Sequence, residues 1–218
     1  LYTGVNIIAG TGHYIADLQS NTKASVEDIY SHMRRELVDG CVDFGEVKAG
    51  FMGEIASVWP KNIYFERRAI QAAGELQPEL GCGVSFHPHR EPDAPFEIIR
   101  VYLEAGGKKD KAVMSHLDRK FSYSTLLQND RLLDFSTLGT YCQFDLFGVE
   151  VSYYQLNEPT DMPSDAARLD KIQLLVDEGK ADRVLMSHDI HTKHRLVSEF
   201  KFLAHPVINI SKTKPYTG

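Results

Sequence analysis

VMSHLDR at residues 113–119 starts apolar and then stops on Ser115 and His116, with Asp118 and Arg119 close behind; VLMSHDIH at 184–191 does the same and stops on His188 and Asp189. A short apolar run that breaks off at an imidazole and a carboxylate reads as a buried strand whose end opens on polar surface. The full runs are KAVMSH (111–116) and RVLMSH (183–188), and four more resemble them: VNIIAG (5–10), AGFMGEI (49–55), GVSFH (83–87) and TYCQFDLF (140–147). Amphipathic stretches lie between them. In SVEDIYSHMRRELVDG (25–40), Ser25 and Asp28 form a capping-box pattern, Ile29, Met33 and Leu37 share a face, and Gly40 can close the helix. PFEIIRVYLEAGG (95–107) places Phe96, Ile99 and Leu103 on one stripe, and ARLDKIQLLVDEG (167–179) does so with Leu169, Ile172 and Val176 before Gly179. Buried parallel strands need helices outside them, and their crossovers are right-handed. Two α/β architectures satisfy this pattern, an open doubly wound sheet and a closed barrel.

The 218 residues are 43% hydrophobic and 25% charged, without a compositional break, so residues 1–218 read as a single domain. A net charge of −6 with scattered basic residues offers no footprint for nucleic acid. Cys41, Cys82 and Cys142 lie far apart, which argues against a disulfide framework or thiolate zinc site and for a reducing, cytoplasmic setting. There is no apolar run long enough for a membrane span and no signal-peptide pattern at the start. The chain opens on Leu1 rather than Met, which suggests a fragment. LNEPTDMPSD (156–165) reads as a loop over one face, and the tail 197–218 is atypical, with no helix-to-strand rhythm.

In a βα barrel, the side chains at the C-terminal strand ends share one mouth. Glu54, His87, His116, Asp145 and the pair His188-Asp189 fall at such ends, most of them about 30 residues apart. Imidazole and carboxylate donors converging from neighbouring strands suit Zn²⁺ or a similar divalent ion. Taken alone, each residue also has a structural reading: a histidine bonded to a carbonyl, Asp189 capping a helix, Asp145 starting a loop. Arg90, Arg119, His191 and Lys193 follow these positions closely, and at the rim they would hold an anionic substrate group or form surface ion pairs. Tyr14, Trp59, Tyr153 and Tyr154 are candidates for a pocket wall.

GEIASVWP (53–60), FHPHR (86–90), VMSHLDR (113–119), FDLFG (144–148) and SHDIHTKHRL (187–196), in that order and spacing, resemble an animal branch of the phosphotriesterase family, within the amidohydrolase superfamily. The resemblance covers roughly residues 1–196. It implies a (β/α)8 TIM barrel with two divalent metals, usually zinc. Glu54 would take the place of the bridging carboxylate, which is a carboxylated lysine in the phosphotriesterases proper. His87 and His116 would be ligands of one metal, and Asp189 would bind the other and handle protons. For this branch the implied activity is amide hydrolysis of N-acetyltaurine and similar N-acyl taurines, small anionic amides. Phosphotriester or lactone hydrolysis at the same metals is the alternative.

The family's opening His-x-His motif does not occur here. Matched strand by strand, the chain runs from the third strand to the eighth, an incomplete barrel with exposed edges. The expectation is an incomplete or alternatively spliced form. A catalytically inactive product acting through association, with oligomerisation possible, is the rival to the enzyme.

Overall fold

The computed structural model describes residue 4 and residues 6–60, 64–120, 126–150 and 162–191. Lys193, Tyr153, Tyr154, the tail 197–218 and most of the 156–165 loop lie outside these residues.

Six strands form one sheet: β1 (Gly10–Thr11), β2 (Phe51–Ser57), β3 (Val84–Pro88), β4 (Ala112–Met114), β5 (Tyr141–Phe144) and β6 (Val184–Met186). Every pairing is parallel, and the spatial order is the order of the chain. This chooses between the two architectures. A doubly wound sheet reverses its strand order at a switch point, whereas a strictly sequential parallel sheet is a length of (β/α)8 barrel wall. Among the described residues β1 and β6 are its two edges.

Each crossover carries helix: α1 (Val26–Val38), α2 (Tyr64–Leu80), α3 (Ala94–Glu104), α4 (Leu117–Lys120) with α5 (Leu126–Thr137), and α6 (Asp165–Asp177). At the start of α1 the Ser25 hydroxyl accepts from Asp28 N at 3.1 Å, and the Asp28 carboxylate accepts from Ser25 N at 2.9 Å. These bonds satisfy two of the amides that a helix start leaves orphaned. At its end Asp39 N and Gly40 N both donate to Arg35 O. The sheet and its helices meet in a core that includes Met52, Ile55, Leu76, Phe86, Ile98, Tyr102, Met114 and Phe144, all buried.

The structure departs from the sequence reading in three places. The first strand is shorter than VNIIAG: pairing starts at Gly10, and Ile7 and Ile8 are exposed. The apolar run there has no strand on its other side among the described residues. Second, α2 is a full helix of 17 residues that the alternation pattern did not single out, because Gly74 and Pro78 interrupt it. Gly74 is needed there, since a β-carbon would come within 2.5 Å of Tyr102 O on α3; its absence lets the two helices pack closely. Third, the stripe on α6 is displaced. Leu169 and Val176 are exposed, and the buried face carries Arg168, Lys171 and Leu175.

The buried face of α6 is polar because it answers a carboxylate. Arg168 Nε lies 3.0 Å from Asp118 Oδ2, with both side chains fully buried. The guanidinium also donates to Asp165 Oδ1 at 2.6 Å and Val149 O at 2.7 Å. Asp118 Oδ2 accepts from Leu146 N at 2.8 Å. One buried pair thus ties α6 to α4 and to the loop leaving β5.

Candidate metal centre

Glu54 lies in the middle of β2 rather than at its end, and an irregularity in that strand aims it. Met52 pairs with Val84, but the next pairing is Ile55 with Phe86, so β2 holds one residue more than β3 across this step. A bulge of this kind turns a side chain out of the regular alternation. Gly53 sits in it at φ +149°, and a β-carbon there would meet Ser85 Cβ at 2.9 Å. Position 53 therefore needs glycine, and the glycine in turn places the carboxylate that follows it.

Three of the predicted ligands converge. Glu54 Oε2 lies 2.9 Å from His87 Nδ1, Glu54 Oε1 3.4 Å from His116 Nε2, and the two ring nitrogens 2.9 Å from each other. One donor atom from each residue falls within 4.8 Å of the others. Ligands at zinc–nitrogen and zinc–oxygen distances on a tetrahedron stand about 3.3 Å apart, so this N, N, O set fits one divalent ion after shifts of a few tenths of an ångström.

The outer partners are equally defined. His116, 3% exposed, donates from Nδ1 to Asp145 Oδ1 at 2.7 Å, and its backbone N donates to the same oxygen at 3.0 Å. Gln143 Nε2 donates to Asp145 Oδ2 at 2.7 Å. Asp145 is thus the carboxylate behind a ligand histidine, an arrangement that fixes ring orientation and raises ligand basicity. His87 Nε2 lies 3.0 Å from Tyr14 Oη and 3.1 Å from Arg119 Nη2. Arg119 also donates to Pro88 O at 3.0 Å and is 8% exposed. It is buried against His87 rather than exposed at a rim.

Asp189 falls outside the three-residue group, yet its charge reaches the site. Burial first, then the charge of Glu54, push the Tyr14 phenol up to about 12; Arg119 and Arg90 draw it down, and Asp189 adds to the rise. Tyr14 is thus within electrostatic reach of both carboxylates and both arginines. Asp189 and His116 are also the non-glycine residues at positive φ among the described residues, +48° and +57°. Left-handed backbone at non-glycine residues clusters at functional sites, and here it marks two strand ends at one mouth. His188 is structural, donating from Nδ1 to Phe147 O at 3.1 Å. His191 Nδ1 donates to Asp189 O at 2.9 Å, and its side chain is more than half exposed.

Protonation follows from these contacts. Burial would raise the Glu54 carboxyl, but hydrogen bonds from His116 and His87 outweigh it and hold the group well below the usual range. Burial lowers His87 to about 4 despite Glu54. Burial also works to lower His116, but the bonds to Asp145 and Glu54 prevail and lift it to about 9. A folded value above the ordinary 6.5 stabilises the metal-free protein fully below that pH, and the contribution disappears as pH rises through about 9. Urea unfolding of chelator-treated protein is expected to show stability falling across this window. Asp145→Asn is expected to flatten the fall; an unchanged slope in that variant would show that Asp145 does not hold the proton.

Tyr14, Gln143 and Asp145 are the residues whose roles sequence reasoning missed or left open. The Asp signal was present in the strand-end position of Asp145; nothing local marks Gln143 as its partner.

Residues 1–209 match the model of the phosphotriesterase family. The phosphotriesterase-related protein of Drosophila melanogaster is 55% identical over 202 residues, which is 90% of this chain and 55% of that protein. The same-named protein of Drosophila willistoni is 54% identical over 202 residues, with the same coverage. The chain thus spans about half the length of the curated relatives it matches. Among solved structures, a phosphotriesterase homology protein from Escherichia coli, complexed with phosphate in its active site, superposes with a TM-score of 0.76 at 27% identity. That match covers 90% of this chain and 62% of the other. An organophosphorus hydrolase from Deinococcus radiodurans gives a TM-score of 0.62 at 25% identity, over 75% of this chain and 45% of that one. With its sequential parallel strands, its Glu-His-His cluster and a family match along nearly its whole length, this chain belongs to the phosphotriesterase family.

Proposed function

We propose that the protein is a zinc-dependent hydrolase of amide bonds, with N-acetyltaurine and related N-acyl taurines as its substrate class. The observation that carries this reading is the convergence of Glu54 within β2, His87 near the end of β3 and His116 just past β4, on three adjacent strands of a phosphotriesterase-family fold. A divalent ion held by these donors would lower the pKa of a bound water and polarise a scissile carbonyl or phosphoryl group.

The chain's own residues supply the rest. Glu54 stays ionised as the anionic donor of the set, and Asp145 keeps His116 turned toward the cluster. Asp189 takes the proton from the attacking water and returns it to the leaving amine. In this reading Asp189 would also hold a second ion together with Glu54. Arg90, whose charge is felt at Tyr14, holds the anionic tail of the substrate, with His191 and Lys193 farther out. Arg119 is engaged with His87 and Pro88 and is left out of the tail-binding set.

A second reading, phosphotriester or lactone hydrolysis at the same cluster, is supported by the likeness to the organophosphorus hydrolase. A substrate panel separates the two: N-acetyltaurine, a neutral N-acetyl amine of equal length, a neutral lactone and a neutral phosphotriester. The amide reading expects the highest kcat/KM on N-acetyltaurine. It also expects Arg90→Ala to raise KM on that substrate by roughly tenfold and to leave the neutral substrates alone. Turnover of the lactone or phosphotriester alone would establish the second reading instead.

A further inference from the structure

The two imidazoles of the cluster are backed by opposite chemistry. His116 faces a carboxylate acceptor, whereas His87 faces a guanidinium that can only donate. When a ring binds a cation through one nitrogen, its other nitrogen carries the proton and needs an acceptor. Asp145 is such an acceptor for His116. Arg119 cannot be one for His87: its Nη2 at 3.1 Å and the Nε2–H that metal binding through Nδ1 requires would be two donors facing each other. Tyr14 Oη lies 3.0 Å from Nε2 but also 3.3 Å from Nδ1, so it sits over the face of the ring, out of line with an Nε2–H. Arg119 is held in this place by Pro88 O, the carbonyl directly after His87, so it is not free to swing to the rim while that bond lasts.

Building on the metal-centre reading, we propose that Arg119 is a positioning residue that weakens metal binding at His87. The guanidinium acts in two ways. It favours the His87 tautomer with a bare Nε2, whose Nδ1 bears hydrogen and has no lone pair for a cation, and it adds a fixed positive charge beside the cluster in a poorly solvated place. Asp145 does the reverse for His116, so the pair comprises one strong and one weak ligand. The weak one sits on the side where Arg119 and Tyr14 meet.

Zinc affinity, measured by competition with a chromophoric chelator, tests this without relying on turnover. Arg119→Met keeps the length of the side chain and removes donor and charge; it is expected to bind zinc about tenfold more tightly than the unaltered protein. Arg119→Gln keeps a donor and removes the charge, and is expected to bind zinc more tightly than the unaltered protein, by a smaller factor than Arg119→Met. Arg119→Lys keeps a cation and is expected to stay near the original affinity. If Arg119→Met does not fold, Arg119→Gln still decides, because an affinity there equal to or weaker than that of the unaltered protein removes the role of the charge. Zinc binding that Arg119→Met leaves equal or makes weaker overturns the role of Arg119 while leaving the metal centre intact. Failure of the unaltered protein to bind zinc overturns the metal centre itself, and this inference with it.

Discussion

His116→Ala is expected to lower zinc affinity by more than about 100-fold, beyond the range seen when an outer partner of a ligand is removed, and to abolish turnover. The imidazole is one of three donors in the cluster, and alanine has no atom to replace Nε2. The loss should be local. Asp145 would lose the ring N–H but keep the backbone N of residue 116 at 3.0 Å and Gln143 at 2.7 Å, so the loop after β5 retains two of its bonds. Far-ultraviolet circular dichroism is therefore expected to match the parent. Asp145→Asn, which keeps the ligand and weakens only its partner, is expected to cost about 10- to 100-fold in affinity. The ordering of these two variants is the diagnostic part. A His116→Ala protein that still carries stoichiometric zinc would remove that imidazole from the ligand set.

The second large effect is on stability. Arg168→Met is expected to destabilise the fold by about 3–5 kcal/mol, because it strands Asp118 as a fully buried carboxylate without its cation. Burial and the neighbouring charge of Asp145 already push the Asp118 carboxyl upward, and Arg168 is the larger of the two charges that draw it back, the other being His116. Asp118 still accepts from Leu146 N and Arg119 N in the variant, but neither neutralises it. At about 2–4 °C per kcal/mol for a chain of this size, Tm should fall by roughly 6–20 °C. The double variant Arg168→Met/Asp118→Asn is expected to recover much of the loss, since it removes the charge that lacked a partner. Equal melting temperatures for the single and double variants would show that the cost lies in the packing of Arg168, including its approach to Phe147, rather than in the ion pair.

The position of Asp118 and Arg168 in the chain shows where sequence reading stops. The stripe chosen on α6 was Leu169, Ile172 and Val176, the apolar choice at helical spacing. The helix instead turns Arg168 and Lys171 inward, because a carboxylate on α4 and Asn129 on α5 are there to receive them. A pattern that scores residues by hydrophobicity cannot detect a buried polar face whose partners lie some 40–50 residues away. The same limit applies to α2, where a glycine and a proline disguise a helix that depends on close packing against α3.

Some of the site was legible in the sequence and some was not, and the division has a physical cause. The alternation of apolar runs and amphipathic stretches, together with chemistry-bearing residues placed at run ends about every 30 residues, is local information. From it follow the α/β class, the parallel strands and the candidates Glu54, His87, His116 and Asp189. Direction and partnership are not local. Whether Glu54 points into the mouth depends on a bulge defined only by the register of β2 against β3. Whether a histidine at a strand end is a ligand or a brace depends on what faces it, and this separates His116 from His188 although both follow Met-Ser. Arg119 reads as a rim cation in sequence and becomes the backing of His87 in space, because its guanidinium is drawn to Pro88 O and His87 Nε2, some 30 residues back in the chain. Composition and periodicity determine which groups the fold can bring to the strand ends; only the packing of one strand on the next decides which of them meet.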